Sequence, residues 1–156
     1  MSGRDPERTR DPYALGIVPP QPFAAKAPLR GQLVAVLRVT FERRGLELEP
    51  VGSRAFPDGS IAELAVTDEP DAQPGKSVQR AAYLGFVRFP TGGIVIVGDT
   101  CSIAGETVGV VAGFDTSHES NHLNIVVRAD RLAHGAERGL APGQTVEFVL
   151  ASSGKS

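Results

Sequence analysis

The sequence contains no tryptophan, one cysteine, one methionine and only three lysines. Each scarcity excludes a class of structure or partner. A single thiol, Cys101, can form neither an internal disulfide nor a zinc site built from cysteine pairs, and such sparing use of cysteine fits a reducing compartment. Aromatic residues are 6% of the chain and the formal charge is −2, so the positive field and stacking platforms that hold nucleic acid are missing. No apolar run approaches the roughly 20 residues that a bilayer-spanning helix needs. The start, Met1-Ser2-Gly3-Arg4-Asp5-Pro6, is polar and unlike a signal peptide. The expectation is a cytoplasmic protein with neither a nucleic-acid nor a membrane partner.

What is present is an ordinary globular composition, 41% hydrophobic and 22% charged, in 156 residues, enough for one domain. Six of the twelve prolines fall in the first thirty residues, which therefore read as an extended, partly disordered arm. Residues 152–156 read as a disordered tail. The arm carries one apolar stretch, Tyr13-Ala14-Leu15-Gly16-Ile17-Val18, suited to lie against the domain or a second subunit.

Between these ends, over residues 31–151, short runs rich in β-branched residues alternate with Gly and Pro, the pattern of strands. Residues 32–42 place Leu33, Ala35, Leu37, Val39 and Phe41 on one face. Ala104-Gly105 marks a tight hairpin with Cys101 opposite Val108. Ile94-Val95-Ile96-Val97 is apolar on both faces, so both must be covered, which predicts a homodimer. Only residues 129–138 have helical character, and Gly139 can stop such a helix. A mostly β fold is predicted, an antiparallel β-barrel with one short helix; a β-sandwich is the alternative.

Chemistry concentrates in one place. All three histidines, His118, His122 and His134, fall within seventeen residues, and the segment from Gly113 through Asp115, His118, Glu119, His122 and Asn124 is a polar loop running into a strand. Such loops on rigid scaffolds carry sites, and imidazole exchanges protons near neutral pH. His118-Glu119-Ser120-Asn121-His122 matches the H-E-x-x-H string of zinc proteases, but a β-branched run follows at once and leaves no room for the required helix. A different zinc or iron site, with His118, His122 and His134 as ligands, is an alternative.

If Leu123, Ile125 and Val127 face the core, then His122, Asn124, Val126 and Arg128 share the other face at spacings of ~7 Å. That row either faces water outside a barrel or lines a ligand cavity within it or at its mouth. Cys101 and His118 would lie on the order of 30 Å apart along a straight strand, a separation that barrel curvature shortens, and an unpaired cysteine reads first as a small buried packing residue rather than a nucleophile. Asp99 reads as a turn residue, and no phosphate-binding glycine loop is present.

Four strings, Ala82-Tyr83-Leu84-Gly85-Phe86, Gly93-Ile94-Val95-Ile96-Val97-Gly98-Asp99, Gly113-Phe114-Asp115 and Asn121-His122-Leu123-Asn124-Ile125-Val126, give the chain a likeness to known sequences. Over roughly residues 31–150 it resembles a small bacterial β-rich domain family with no assigned activity. The resemblance implies Pro at the position of Ser120, hence a loop rather than a helix there, and carries no catalytic role.

The leading expectation is a small-molecule-binding β-barrel working as a cofactor-free acid/base enzyme, of cyclase, isomerase or dehydratase type, in bacterial specialised metabolism. His118, His122, Asp115 and Glu119 would move protons while Asn124 and Arg128 hold an oxygen of the substrate. A non-catalytic structural or accessory homodimer and the His-based metal protein are the competing expectations.

Overall fold

The computed structural model describes residues 22–117 and 122–151, and among these the chain is mostly β with no helix. Its strands are β1 (Leu29–Phe41), β2 (Leu46–Glu47), β3 (Ser53–Phe56), β4 (Ser60–Thr67), β5 (Ser77–Val78), β6 (Ala81–Phe89), β7 (Gly93–Ile96), β8 (Thr100–Ile103), β9 (Glu106–Asp115), β10 (Leu123–Arg128) and β11 (Thr145–Val149). Seven of them close a barrel in the order β1-β11-β8-β9-β10-β4-β6. Closure leaves that sheet without edges. Every neighbouring pair in the barrel is antiparallel except β10 with β4, which run parallel from Leu123 opposite Ala62 to Arg128 opposite Thr67.

Phe89, Phe114, Phe148, Leu33, Leu64, Leu84 and Ile125 fill the barrel, all fully buried. A second apolar layer covers part of its outer wall: Leu46, Leu48, Ala72 and Val78 pack on Ala65, Tyr83, Ala112 and Val126. The paired strands β2 and β5 carry this layer. Its backbone is tied down by Glu49 N–H to the Phe114 carbonyl at 2.8 Å and by Glu47 N–H to Asp115 Oδ2 at 2.8 Å. Strands buried on both faces need no polar alternation. For that reason Leu123-Asn124-Ile125-Val126-Val127 is buried throughout.

Several local expectations are corrected. The helix predicted over 129–138 does not form; residues 129–134 are irregular and 135–139 are turns, because the barrel takes the amides: Gly135 N–H reaches the Tyr83 carbonyl at 3.0 Å and Ala136 N–H the Leu37 carbonyl at 3.1 Å. These bonds fill the gap that the register shift between Val36 and Val39 opens in the β1/β6 ladder. Two such shifts also split the expected single face of β1. Leu33 points into the barrel, whereas Leu37 and Val39 pack with the outer layer.

The hairpin at Ala104-Gly105 forms, both residues taking positive φ (52° and 84°) as a type I′ turn needs. A bulge between Cys101 and Ser102 slips its register, so Cys101 faces Gly109 rather than Val108. Gly113, Phe114 and Asp115 are the end of β9, paired with Val126, Ile125 and Asn124, rather than the start of the polar loop.

Of the two-sided run, Val95 and Ile96 are buried while Ile94 is 37% exposed. Beside it the segment ahead of β1 is fastened by Lys26, whose amino group lies 2.8 Å from Asp99 Oδ2 and donates to the Ile94 carbonyl at 2.6 Å. Asp99 is a turn residue, as read, but fully buried, its Oδ2 also accepting the Ile96 N–H at 2.9 Å. Residues 1–21 of the arm and 152–156 of the tail lie outside the described residues.

Candidate functional site

The face of β10 opposite the core is neither solvated nor inside the barrel. It lies on the outer wall beneath the second layer, and its residues have different surroundings at each end. His122, immediately before β10, brings Nε2 to within 2.8 Å of Glu63 Oε1, the two side chains being 13% and 12% exposed. Glu63 comes from β4, where it sits between Asn124 of β10 and Phe86 of β6. The Phe86 ring meets the His122 ring edge-to-face at 5.2 Å, which fixes the plane of the imidazole.

The His122–Glu63 pair borders an open groove of about 270 Å³, whose other walls are Leu37, Val39, Phe41, Arg44 and Tyr83. Phe41 stands edge-to-face on Tyr83 at 5.9 Å, and the Arg44 guanidinium lies 5.9 Å from each of their ring centroids. Burial pushes the Tyr83 phenol up, the Arg44 charge pulls it down, and the Glu63 charge adds to the rise, leaving it above its ordinary value. The phenol is therefore a neutral proton donor at physiological pH. Its hydroxyl is buried with no hydrogen-bond partner of good geometry among the described residues.

Asp115 has a different office. One oxygen accepts from Glu47 N–H, the other from Ser117 N–H at 2.9 Å, Ser117 Oγ–H at 2.5 Å and Asn124 Nδ2–H at 3.4 Å. Burial pushes this carboxyl up, but the bonds from Ser117, Glu47 and Asn124 outweigh it and hold the group below its usual range. Asn124 is fully buried beside it, level with Glu63. Arg128, at the far end of β10, donates to the Ala72 carbonyl at 2.8 Å and lines a separate pocket with Asp68, Thr107 and Asp130. The expected pairing of His122 with Arg128 in one site is thus divided between two.

His134 is engaged within its own turn, Nδ1 accepting the Glu137 N–H at 3.1 Å while its N–H donates to Glu137 Oε1 at 2.9 Å. His118 and Glu119 fall outside the described residues. Among the described residues no three His, Cys, Asp or Glu side chains gather as metal ligands would. Cys101 is buried inside the barrel, and burial pushes its thiol up to about 12. It packs as an inert neutral side chain.

A family of unknown function, DUF6917, matches residues 23–149. The chain belongs to DUF6917. This agrees with the likeness to a β-rich family without an assigned activity. No curated protein and no solved structure matches the chain. Among the described residues of this DUF6917 member, no helix is long and apolar enough to cross a membrane.

Sequence reasoning on the DUF6917 chain missed Glu63, Tyr83, Arg44 and Phe41. A signal existed for Glu63, the single charge inside Ile61-Ala62-Glu63-Leu64-Ala65-Val66. A charge within such a run is costly unless it is partnered, and His122 is one partner of Glu63.

Proposed function

We propose that the outer-wall groove binds a small molecule and that the His122–Glu63 pair exchanges a proton with it. The DUF6917 chain would then be a cofactor-free acid/base enzyme, of cyclase, isomerase or dehydratase type. The observation that carries this reading is the 2.8 Å contact of an imidazole and a carboxylate, both largely withdrawn from water, at the border of an apolar groove. A carboxylate so placed orients the ring and stabilises the imidazolium that proton abstraction creates. The protonated Tyr83 supplies the complementary acid. Asp115 and Asn124 act at one remove, holding the end of β9 against β10 and β2 so that His122 enters the groove at a fixed height.

The test is a fragment screen by ligand-observed NMR, followed by deuterium uptake in D₂O into hits that carry an acidic C–H. Groove ligands whose exchange is accelerated, with the acceleration lost in His122→Ala and Glu63→Gln, are the expected result. If no fragment binds at the groove, or exchange is the same in both variants and the parent, the reading is wrong.

The cytoplasmic setting, the place in bacterial specialised metabolism and the homodimer belong to the same proposal. For the dimer the support is Ile94 and Val149, each 37% exposed, on strands that meet at the Lys26 amino group through the Ile94 and Phe148 carbonyls. Light scattering returning a monomer mass across micromolar concentrations would remove it.

A further inference from the structure

The groove has a polarity that narrows its ligand. Tyr83 is 3% exposed, and its buried hydroxyl is without a partner of good geometry among the described residues. The one cation against it, Arg44, has only donors to offer, so it can serve the phenol oxygen but never the phenol proton. A buried O–H proton without an acceptor is costly, and natural structures rarely leave one so. Arg44 and Tyr83 are both donors on a groove whose other lining residues are Leu37, Val39, Phe41 and the His122–Glu63 pair.

We infer that this groove takes a small carboxylate on an apolar body, with Arg44 and the Tyr83 hydroxyl receiving the carboxylate oxygens and Leu37, Val39 and Phe41 the apolar part. The inference rests on the ligand-binding reading above and adds the chemical class. Arg44 is the cover as well as the anchor. Its guanidinium lies over the Tyr83 ring, so a carboxylate that reaches Arg44 is brought to the side of the phenol as well. The volume of about 270 Å³ sets the scale at or below the small end of ordinary ligand pockets, a single ring or a short chain.

Three probes with one apolar body decide it: phenylacetate, phenylacetamide and phenethylamine, each titrated into the full-length protein by two-dimensional NMR. Phenylacetate is expected to shift the resonances of Tyr83, Arg44 and Val39, phenylacetamide to do so at about tenfold higher concentration, and phenethylamine not to do so. Tyr83→Phe should weaken phenylacetate about fivefold to tenfold, the worth of one hydrogen bond, while the melting temperature stays level or rises because an unpaired hydroxyl has gone. Arg44→Gln should remove the preference for phenylacetate over phenylacetamide.

Phenethylamine binding in the groove as tightly as phenylacetate would overturn the carboxylate class and leave the ligand-binding reading intact. So would phenylacetate binding unchanged by Tyr83→Phe. If none of the three shifts groove resonances, the inference falls, and the fragment screen then decides whether the wider reading falls with it.

Discussion

Glu63 and Asn124 stand side by side in the one parallel strand pair of the barrel, and this register carries His122, two residues ahead of Asn124, to 2.8 Å from the Glu63 carboxylate. In this register Asn124 is the cross-strand neighbour of Glu63, and His122, two residues before it, extends the same face of β10 toward the carboxylate. The proposed proton-transfer pair is therefore a consequence of the β10/β4 pairing and its register as much as of residue type.

Asp115 ties three strands through one carboxylate. Its folded pKa lies below the unfolded value, so the stabilisation it gives is present above the unfolded value of about 3.9 and is lost as pH falls through the folded value. Asp115→Asn should cost about 2 kcal/mol at pH 7. It should also flatten the fall in stability below pH 4, measured by urea unfolding at a series of pH values. Parent and variant curves that stay parallel into acid would contradict the role given to Asp115.

Cys101 acts at the other end of the scale. Its thiol is raised to about 12, against an ordinary value near 9, so the stabilisation is whole below pH 9. It drains away between pH 9 and 12 as the unfolded chain ionises and the folded one resists. The loss by pH 12 is about 4 kcal/mol. Cys101→Ala should be less stable at neutral pH through the space it leaves, yet lose less than the parent on alkaline titration.

Lys26 and Asp99 form a buried pair, so removing one partner strands the other's charge. Lys26→Met should cost about 3–5 kcal/mol, and adding Asp99→Asn should recover part of it. A double variant as unstable as the sum of the two single ones would mean that the contact at 2.8 Å does no coupling.

Gly135 occupies a place where a Cβ would lie 2.1 Å from the Leu84 carbonyl oxygen and 2.8 Å from Val36 Cγ1. Gly135→Ala must push the turn over 135–139 out of the β1/β6 gap, at a cost of about 2–3 kcal/mol. Since Leu37 and Tyr83 lend that turn their carbonyls and the groove their side chains, phenylacetate affinity should fall as well. Thermal melts and the NMR titration read the two effects separately.

The sequence by itself determined the class of fold, the positions of the long strands, the Ala104-Gly105 turn and the inward face of β10, because β-branched alternation and turn chemistry act over a few residues. It also singled out His122 as a titratable group on the face away from the core. Tertiary structure alone decided what that face meets. Glu63, Tyr83 and Arg44 lie far from His122 in the chain, and the bulges that turn Leu37 and Val39 outward obey the fit of β1 to β6 rather than any local preference. The helix expected over 129–138 failed for the same reason. Its amides found better partners in the Tyr83 and Leu37 carbonyls than in their own turn. Local patterns fix where a chain becomes strand, but which side chains share a groove depends on strand order and register, which form only when distant segments close the barrel.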